Sequence, residues 1–191
     1  MYTPKVIDIS QWQICQIEDI SDRRYAGVPA MRQWKAQLDG RVKSSILAGI
    51  GGAAGIFLLA ALSGASNTPL LMAPFGASCV LLFAAPASPF SQPANVIGGH
   101  LLSTLIGMLA SQVSGPDPWT LAIATALAIS LMVLFKIIHP PAGADPMVVL
   151  MGHENTLFLL FPVLSGSVVL VLIAMFYHRL SKTASYPYRQ A

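Results

Sequence analysis

Only 10% of the 191 residues are charged and 54% are hydrophobic, against roughly a quarter charged in soluble domains, so a water-soluble fold is excluded. Of the eleven basic and eight acidic residues, twelve lie in residues 1–43 and three beyond His178, which leaves Asp117, Lys136, Asp145 and Glu154 for everything between. A surface that poor in charge belongs in a bilayer.

The net charge of +3 does not mark a nucleic-acid partner, because Asp8, Glu18, Asp19, Asp22 and Asp39 are interleaved with the basic residues. Cys15 and Cys79 give neither a disulfide framework nor metal-ligand spacing, and no cofactor motif is present. No cleavable signal peptide is expected, since the first apolar run begins near Ile46. Arg23, Arg24, Arg32, Lys35, Arg41 and Lys43 precede that run, and Arg179, Lys182 and Arg189 follow the last one. By the positive-inside rule both termini are expected in the cytoplasm of a cell with the chain in its plasma (inner) membrane.

In chain order, residues 1–27 are mixed and uninformative. Over residues 29–43, Met31, Trp34, Leu38 and Val42 recur at helical spacing beside basic residues. That predicts a basic amphipathic helix, either in the headgroup region or packed on the bundle's cytoplasmic end. Full spans are expected over about residues 44–63, 95–114, 119–138 and 157–178, each long enough for roughly 30 Å of hydrocarbon. Small residues recur at four-residue intervals: Gly51 and Gly55 in the first, Gly99, Ser103, Gly107 and Ser111 in the second, Ala122, Ala126 and Ser130 in the third. Such stripes let helix backbones approach closely and carry no chemistry by default.

Two shorter apolar segments, residues 70–85 and 139–151, are broken or bounded by proline and glycine and read as half-helices. Pro74-Phe75-Gly76-Ala77-Ser78 and Pro141-Ala142-Gly143-Ala144-Asp145 share a pattern at an offset of 67 residues, and Gly99 matches Gly166 at the same offset. The expected fold is therefore an all-α membrane protein of about four transmembrane helices plus two half-helices in a two-fold internal repeat. Its parts are residues 1–43, a membrane domain 44–178 with repeat halves 44–114 and 119–178, and a tail 179–191. Four crossings with parallel halves and six with inverted halves both fit.

Paired interrupted segments point to a transporter's binding site. Free amides at the starts of the half-helices, at Phe75, Gly76, Ala77 and Ser78 and at Ala142, Gly143 and Ala144, would offer an anion site, with Ser78 adding a hydroxyl. Gly143 would permit close approach of substrate or of another helix. His139 is a donor to the anion, a proton carrier, or a structural tie. His100, one turn into the second span, is a weaker candidate; His153 and His178 are expected at loop or interface positions without a role. Asp145 would repel an anion when ionised. It is expected to pair with Lys136 or His139, to carry a proton, or to favour a cation together with Ser78.

His139-Pro140-Pro141 followed by Ala142-Gly143-Ala144 resembles the signature of the HPP integral membrane proteins. The block from Pro74 through Pro86, Pro89 and Pro93 to Gly98-Gly99-His100 resembles that family's other characteristic stretch. The resemblance covers most of the chain from Ser44 onward. It implies four transmembrane helices and a transport role, with nitrite the substrate associated with chloroplast and cyanobacterial members. The primary expectation is thus a transporter or channel for a small inorganic anion, without cofactor or metal. The competing expectations are a sensor or assembly subunit that transports nothing, and a cation or proton pathway using Asp145. An enzyme is not expected, because no Ser/His/Asp set, HExxH or catalytic carboxylate pair stands out. The lipid bilayer is the other partner, and a homo-oligomer is compatible with so narrow a bundle.

Overall fold

The computed structural model describes residues 30–152 and 154–188, with side chains from residue 37 onward. Trp34, Met31, Cys15 and His153 therefore lie outside what can be described. The only regular elements among the described residues are helices, with no strand. The chain divides into two compact units after Lys43.

Helix α1 is Ala30–Ser66, and Asn67, with φ 49°, ends it in the left-handed region that asparagine tolerates. After an extended stretch, α2 is Pro74–Ala84, a half-helix opened by proline at its first position. The Pro-rich linker forms a 3₁₀ turn, Pro89–Ser91. Ser91 holds it to the end of α2 by donating to the Ala85 carbonyl at 2.8 Å. Helix α3 is Pro93–Ser111. Helix α4 is Pro118–Leu134, capped by Asp117, whose carboxylate accepts from the Thr120 hydroxyl and the Trp119 and Thr120 amides. Those bonds, that of the Thr120 hydroxyl foremost, hold the Asp117 carboxyl below the usual carboxylate range. Next, Pro140–Ala144 winds as a 3₁₀ turn directly into α5, Asp145–Gly152. A 3₁₀ turn (Thr156–Leu159) and a π turn (Leu160–Leu164) lead into α6, Ser165–Ser181.

Three helical stretches are long and apolar enough to cross a membrane: Gln37–Ser66, Pro93–Ser111 and Thr156–Ser181. The third expected span is shorter than the hydropathy implied. It stops at Leu134 rather than residue 138, because Lys136 turns into the left-handed region at φ 57°. Its 17 residues reach about 26 Å at 1.5 Å per residue.

Helix α3 is the hub, packing against α4, α5, α6 and the Pro140–Ala144 turn. The small-residue stripes sort into contact and non-contact. A Cβ at Gly107 would stand 2.8 Å from Pro146 Cα, and one at Gly99 2.7 Å from His139 Cβ. Gly51 and Gly55 receive the Phe83 ring. On α4, however, the expected stripe Ala122, Ala126 and Ser130 faces outward, and Ala124, Ala128 and Met132 are buried instead. Both rows have the same four-residue period, so spacing alone does not choose between them.

The pair Gly99 and Gly166 makes crossed contacts. Gly99 meets His139 and Ile137 at the start of the second half-helix, while Gly166 meets the Leu70 carbonyl and the Phe75 ring at the start of the first. The half-helices themselves differ, one α-helical from its first turn and the other opening as 3₁₀.

These contacts predict that Gly166→Ala destabilises by about 1–3 kcal/mol, the usual cost of overpacking. Gly76→Ala and Gly143→Ala, where an added methyl meets nothing within 4 Å, should stay within about 0.5 kcal/mol. Thermal unfolding in detergent measures all three, and an equal loss across them would contradict the packing described.

Candidate functional site

Five polar side chains meet at the inner face of α3. His100, Ser103 and Thr104 come from α3 itself, Ser78 from the second turn of α2, and Asp145 from the first residue of α5. All five are fully buried, as is His139 in the bend before the Pro140–Ala144 turn. Proline at the start of each half-helix fixes where its first turn begins, and that register aims Ser78 and Asp145 at α3.

The side chains form one continuous hydrogen-bonded chain. Asp145 Oδ2 lies 2.8 Å from His100 Nδ1, and the Thr104 hydroxyl donates to the same oxygen at 3.4 Å. His100 Nε2 lies 3.0 Å from Ser78 Oγ. Ser78 Oγ in turn lies 2.9 Å from His139 Nε2 and 3.3 Å from the Pro74 carbonyl. His139 Nδ1 donates to the Phe90 carbonyl at 2.8 Å. A carbonyl only accepts, so this bond fixes the His139 tautomer, with Nδ1 protonated and Nε2 left to accept. Asp145 Oδ1 is buried with no hydrogen-bond partner among the described residues. The Phe75 ring closes one side, edge-on to His100 at a centroid distance of 5.2 Å. Ser103 donates to the Ala142 carbonyl at 2.5 Å and Asn95 to the Ile138 carbonyl at 3.0 Å. These two bonds pin the bend that carries His139.

Several expectations change here. Asp145 pairs with His100, not with Lys136 or His139. Lys136 is exposed at the end of α4 and has no ion pair among the described residues. The amides of Phe75, Gly76 and Ala142 are not free: they donate to the Met72, Ala73 and His139 carbonyls, because each half-helix is preceded by a turn that supplies acceptors. Gly76 and Ala77 are exposed, Gly143 and Ala144 half-buried, and no neighbour approaches Gly143 closely. His178 is buried rather than at an interface, donating from Nε2 to the Leu82 carbonyl at 2.8 Å and accepting from Thr183 at Nδ1.

The sequence shows no Ser/His/Asp signature, yet Ser78, His100 and Asp145 are connected in triad order. The three lie on separate helices, and such sets are assembled by the fold rather than by local spacing. Ser103, Thr104, Asn95 and the Phe90 carbonyl also belong to the site, although no motif in the sequence marks them for it. A signal existed for two of them: Ser103 and Thr104 follow His100 by three and four residues, which places all three on one face of α3.

The family described as "HPP, transmembrane region" matches residues 38–187. Two transmembrane proteins of Dictyostelium discoideum are 33% and 32% identical to the chain over 113 residues each, 55% of this chain. The aligned parts make up 40% and 36% of those proteins, so the chain spans well under half of their length. No solved structure matches the chain significantly.

The His100–Asp145 bond should withstand Asp145→Asn, since the carboxamide N–H donates to His100 Nδ1 much as a protonated carboxyl would. Asp145→Ala leaves His100 Nδ1 buried without a partner and should cost about 1–3 kcal/mol. Melting temperatures of the two variants in detergent separate these outcomes; equal losses would show that the bond does not hold the site together.

Proposed function

We propose that this chain, which belongs to the HPP transmembrane family, is a secondary transporter of a small inorganic ion whose movement is coupled to protonation of the buried chain from Asp145 to His139. The observation that carries the reading is that chain itself. A carboxyl, two imidazoles and a hydroxyl are fully buried between helices of a membrane protein. A charged side chain at membrane depth costs about 2.5–3.5 kcal/mol on insertion scales, so ionisable groups kept there mark ion and proton pathways. A small oxyanion such as nitrite is the substrate class that the sequence resemblance favours. His139, with the second half-helix beside it, is the end that becomes cationic on gaining a proton and that such an ion would meet.

With Arg41 and Lys43 before the bundle and Arg179 and Lys182 after it, the reading places both termini in the cytoplasm of a cell whose plasma membrane holds the protein. Outward-facing Phe57, Ile123, Leu109 and Phe176 suit lipid or a second copy equally.

One further observation favours a second reading. The order Ser78–His100–Asp145 is that of a serine hydrolase, which would make the site an intramembrane enzyme. Against it, Ser78 Oγ already has three polar neighbours and no exposure, which leaves no direction for an acyl carbon to approach. The relay reading uses the two imidazoles among these neighbours, one as donor and one as acceptor.

Reconstituted vesicles loaded with a pH-sensitive dye test the transport reading. Nitrite should enter with proton movement, and Asp145→Asn and His139→Ala should slow that flux by about a hundredfold or more, the low end of what a positioned proton-transfer group contributes. Flux no greater than that of empty vesicles would remove the transport reading. Covalent labelling of Ser78 by a fluorophosphonate would replace it with the hydrolase.

A further inference from the structure

We propose that Asp145, His100, Ser78 and His139 form a single-file proton relay, carrying one transferable proton that rests on Asp145 and passes to His139. This deepens the transport reading. Its coupling to an ion rests on that reading, whereas the relay itself does not.

The donors and acceptors around Ser78 decide where the proton rests. Ser78 has one proton, and the Nε2 atoms of His100 and His139 both face its oxygen at 3.0 and 2.9 Å; the Pro74 carbonyl, 3.3 Å away, is the longest of its contacts and, as a helical carbonyl of α2, does not depend on that proton. His139 Nε2 must accept, because its Nδ1 donates to the Phe90 carbonyl. If Asp145 were ionised with His100 neutral, His100 would donate from Nδ1 and present a second bare Nε2 to the same hydroxyl. One nitrogen would then face a lone pair, buried and unbonded, at a cost of about 1–3 kcal/mol. One more proton removes the conflict. Asp145 Oδ2 donates to His100 Nδ1, His100 Nε2 donates to Ser78, Ser78 donates to His139 Nε2, and His139 Nδ1 donates to Phe90. The whole set is then electrically neutral, as a low-dielectric interior favours. A neutral carboxyl also tolerates an oxygen without a donor, the condition of Asp145 Oδ1, better than a carboxylate does.

The same atoms support a second fully bonded arrangement. The Asp145 O–H breaks as His100 Nδ1–H forms, the His100 Nε2–H breaks as a new Ser78 O–H forms, and the original Ser78 O–H breaks as His139 Nε2–H forms. Three protons each advance by one bond and no atom is lost or gained. Asp145 ends as a carboxylate and His139 as an imidazolium, with every hydrogen bond kept and the three between Asp145 and His139 reversed in direction. Separating the charges costs energy in a low dielectric. A small anion near His139 would offset that cost, so anion occupancy and proton position bias each other. The relay is blind at Phe90, since a carbonyl cannot pass a proton on. Exchange with the outside must therefore occur beside Asp145 Oδ1. Among the described residues no other titratable side chain is hydrogen-bonded into the set: Lys136, between α4 and His139, is exposed, Cys79 of α2 packs toward Gly52 and Gly55, and His178 of α6 is bonded to Leu82 and Thr183.

Histidine ring nitrogens report this directly. In full-length protein labelled with ¹⁵N-histidine and reconstituted in bilayers, solid-state NMR should find opposite neutral tautomers, His100 protonated at Nε2 and His139 at Nδ1. His100→Asn and His139→Asn assign the signals. Ser78→Ala should shift both rings' nitrogen signals and Ser78→Thr should restore them. His100 neutral and protonated at Nδ1, or Ser78→Ala leaving both rings unshifted, would overturn the relay. Should Ser78→Ala not fold, the wild-type tautomers alone decide. These signals are read without any flux. Wrong tautomers with nitrite flux intact would remove the relay only, and correct tautomers without flux would remove transport only.

Discussion

The 2.8 Å bond between His100 Nδ1 and Asp145 Oδ2 constrains everything around it. A lone carboxyl in the interior of a membrane bundle has no water to turn to, and an ionised one is among the costliest groups a bilayer accepts. Its partner must be near, correctly oriented and held there. Meeting that requirement takes three helices: α5 to start at Asp145, α3 to bring His100 and Thr104, and α2 to fix the far nitrogen of His100 through Ser78. Remove the carboxyl and the remaining groups lose the reason for their arrangement.

The rest of the fold can be understood as what makes this meeting possible. The glycines of α3 bring backbone to backbone where the site needs it: Gly99 beneath His139, and Gly107 against Pro146, the residue after Asp145. Gly166 performs the same service for the start of α2. The prolines set where each half-helix begins, and the Pro89–Ser91 turn presents the carbonyl that fixes the His139 tautomer. Backbone that would be forbidden against lipid is satisfied because it is buried in protein, with Ser103 and Asn95 supplying bonds that the broken helix cannot make for itself.

Much of this was legible in the sequence, for identifiable reasons. Charge depletion between Ser44 and His178 gave the bilayer, and proline placement gave both half-helices, because each rests on a local property of the residues. His139, Ser78, Asp145 and His100 stand out as polar groups in an apolar setting. What failed was anything that depends on rotation about a helix axis or on contact between helices. Ala122, Ala126 and Ser130 have the same spacing as Ala124, Ala128 and Met132, yet only the second row is buried. Lys136 and His139 are the near residues from which a partner for Asp145 is expected, yet its partner lies 45 positions earlier. The amides at the half-helix starts looked free because the turns before them, which carry the accepting carbonyls, have no strong sequence signature.

The central claim is that Asp145 carries a proton inside the folded bundle at neutral pH. Infrared difference spectroscopy of wild-type protein against Asp145→Asn, both in bilayers, reads that proton from the carbonyl stretch of a protonated carboxyl. The account predicts such a band in the wild type, shifted by deuterium exchange and absent from the variant. A difference spectrum that contains only carboxylate bands would contradict it.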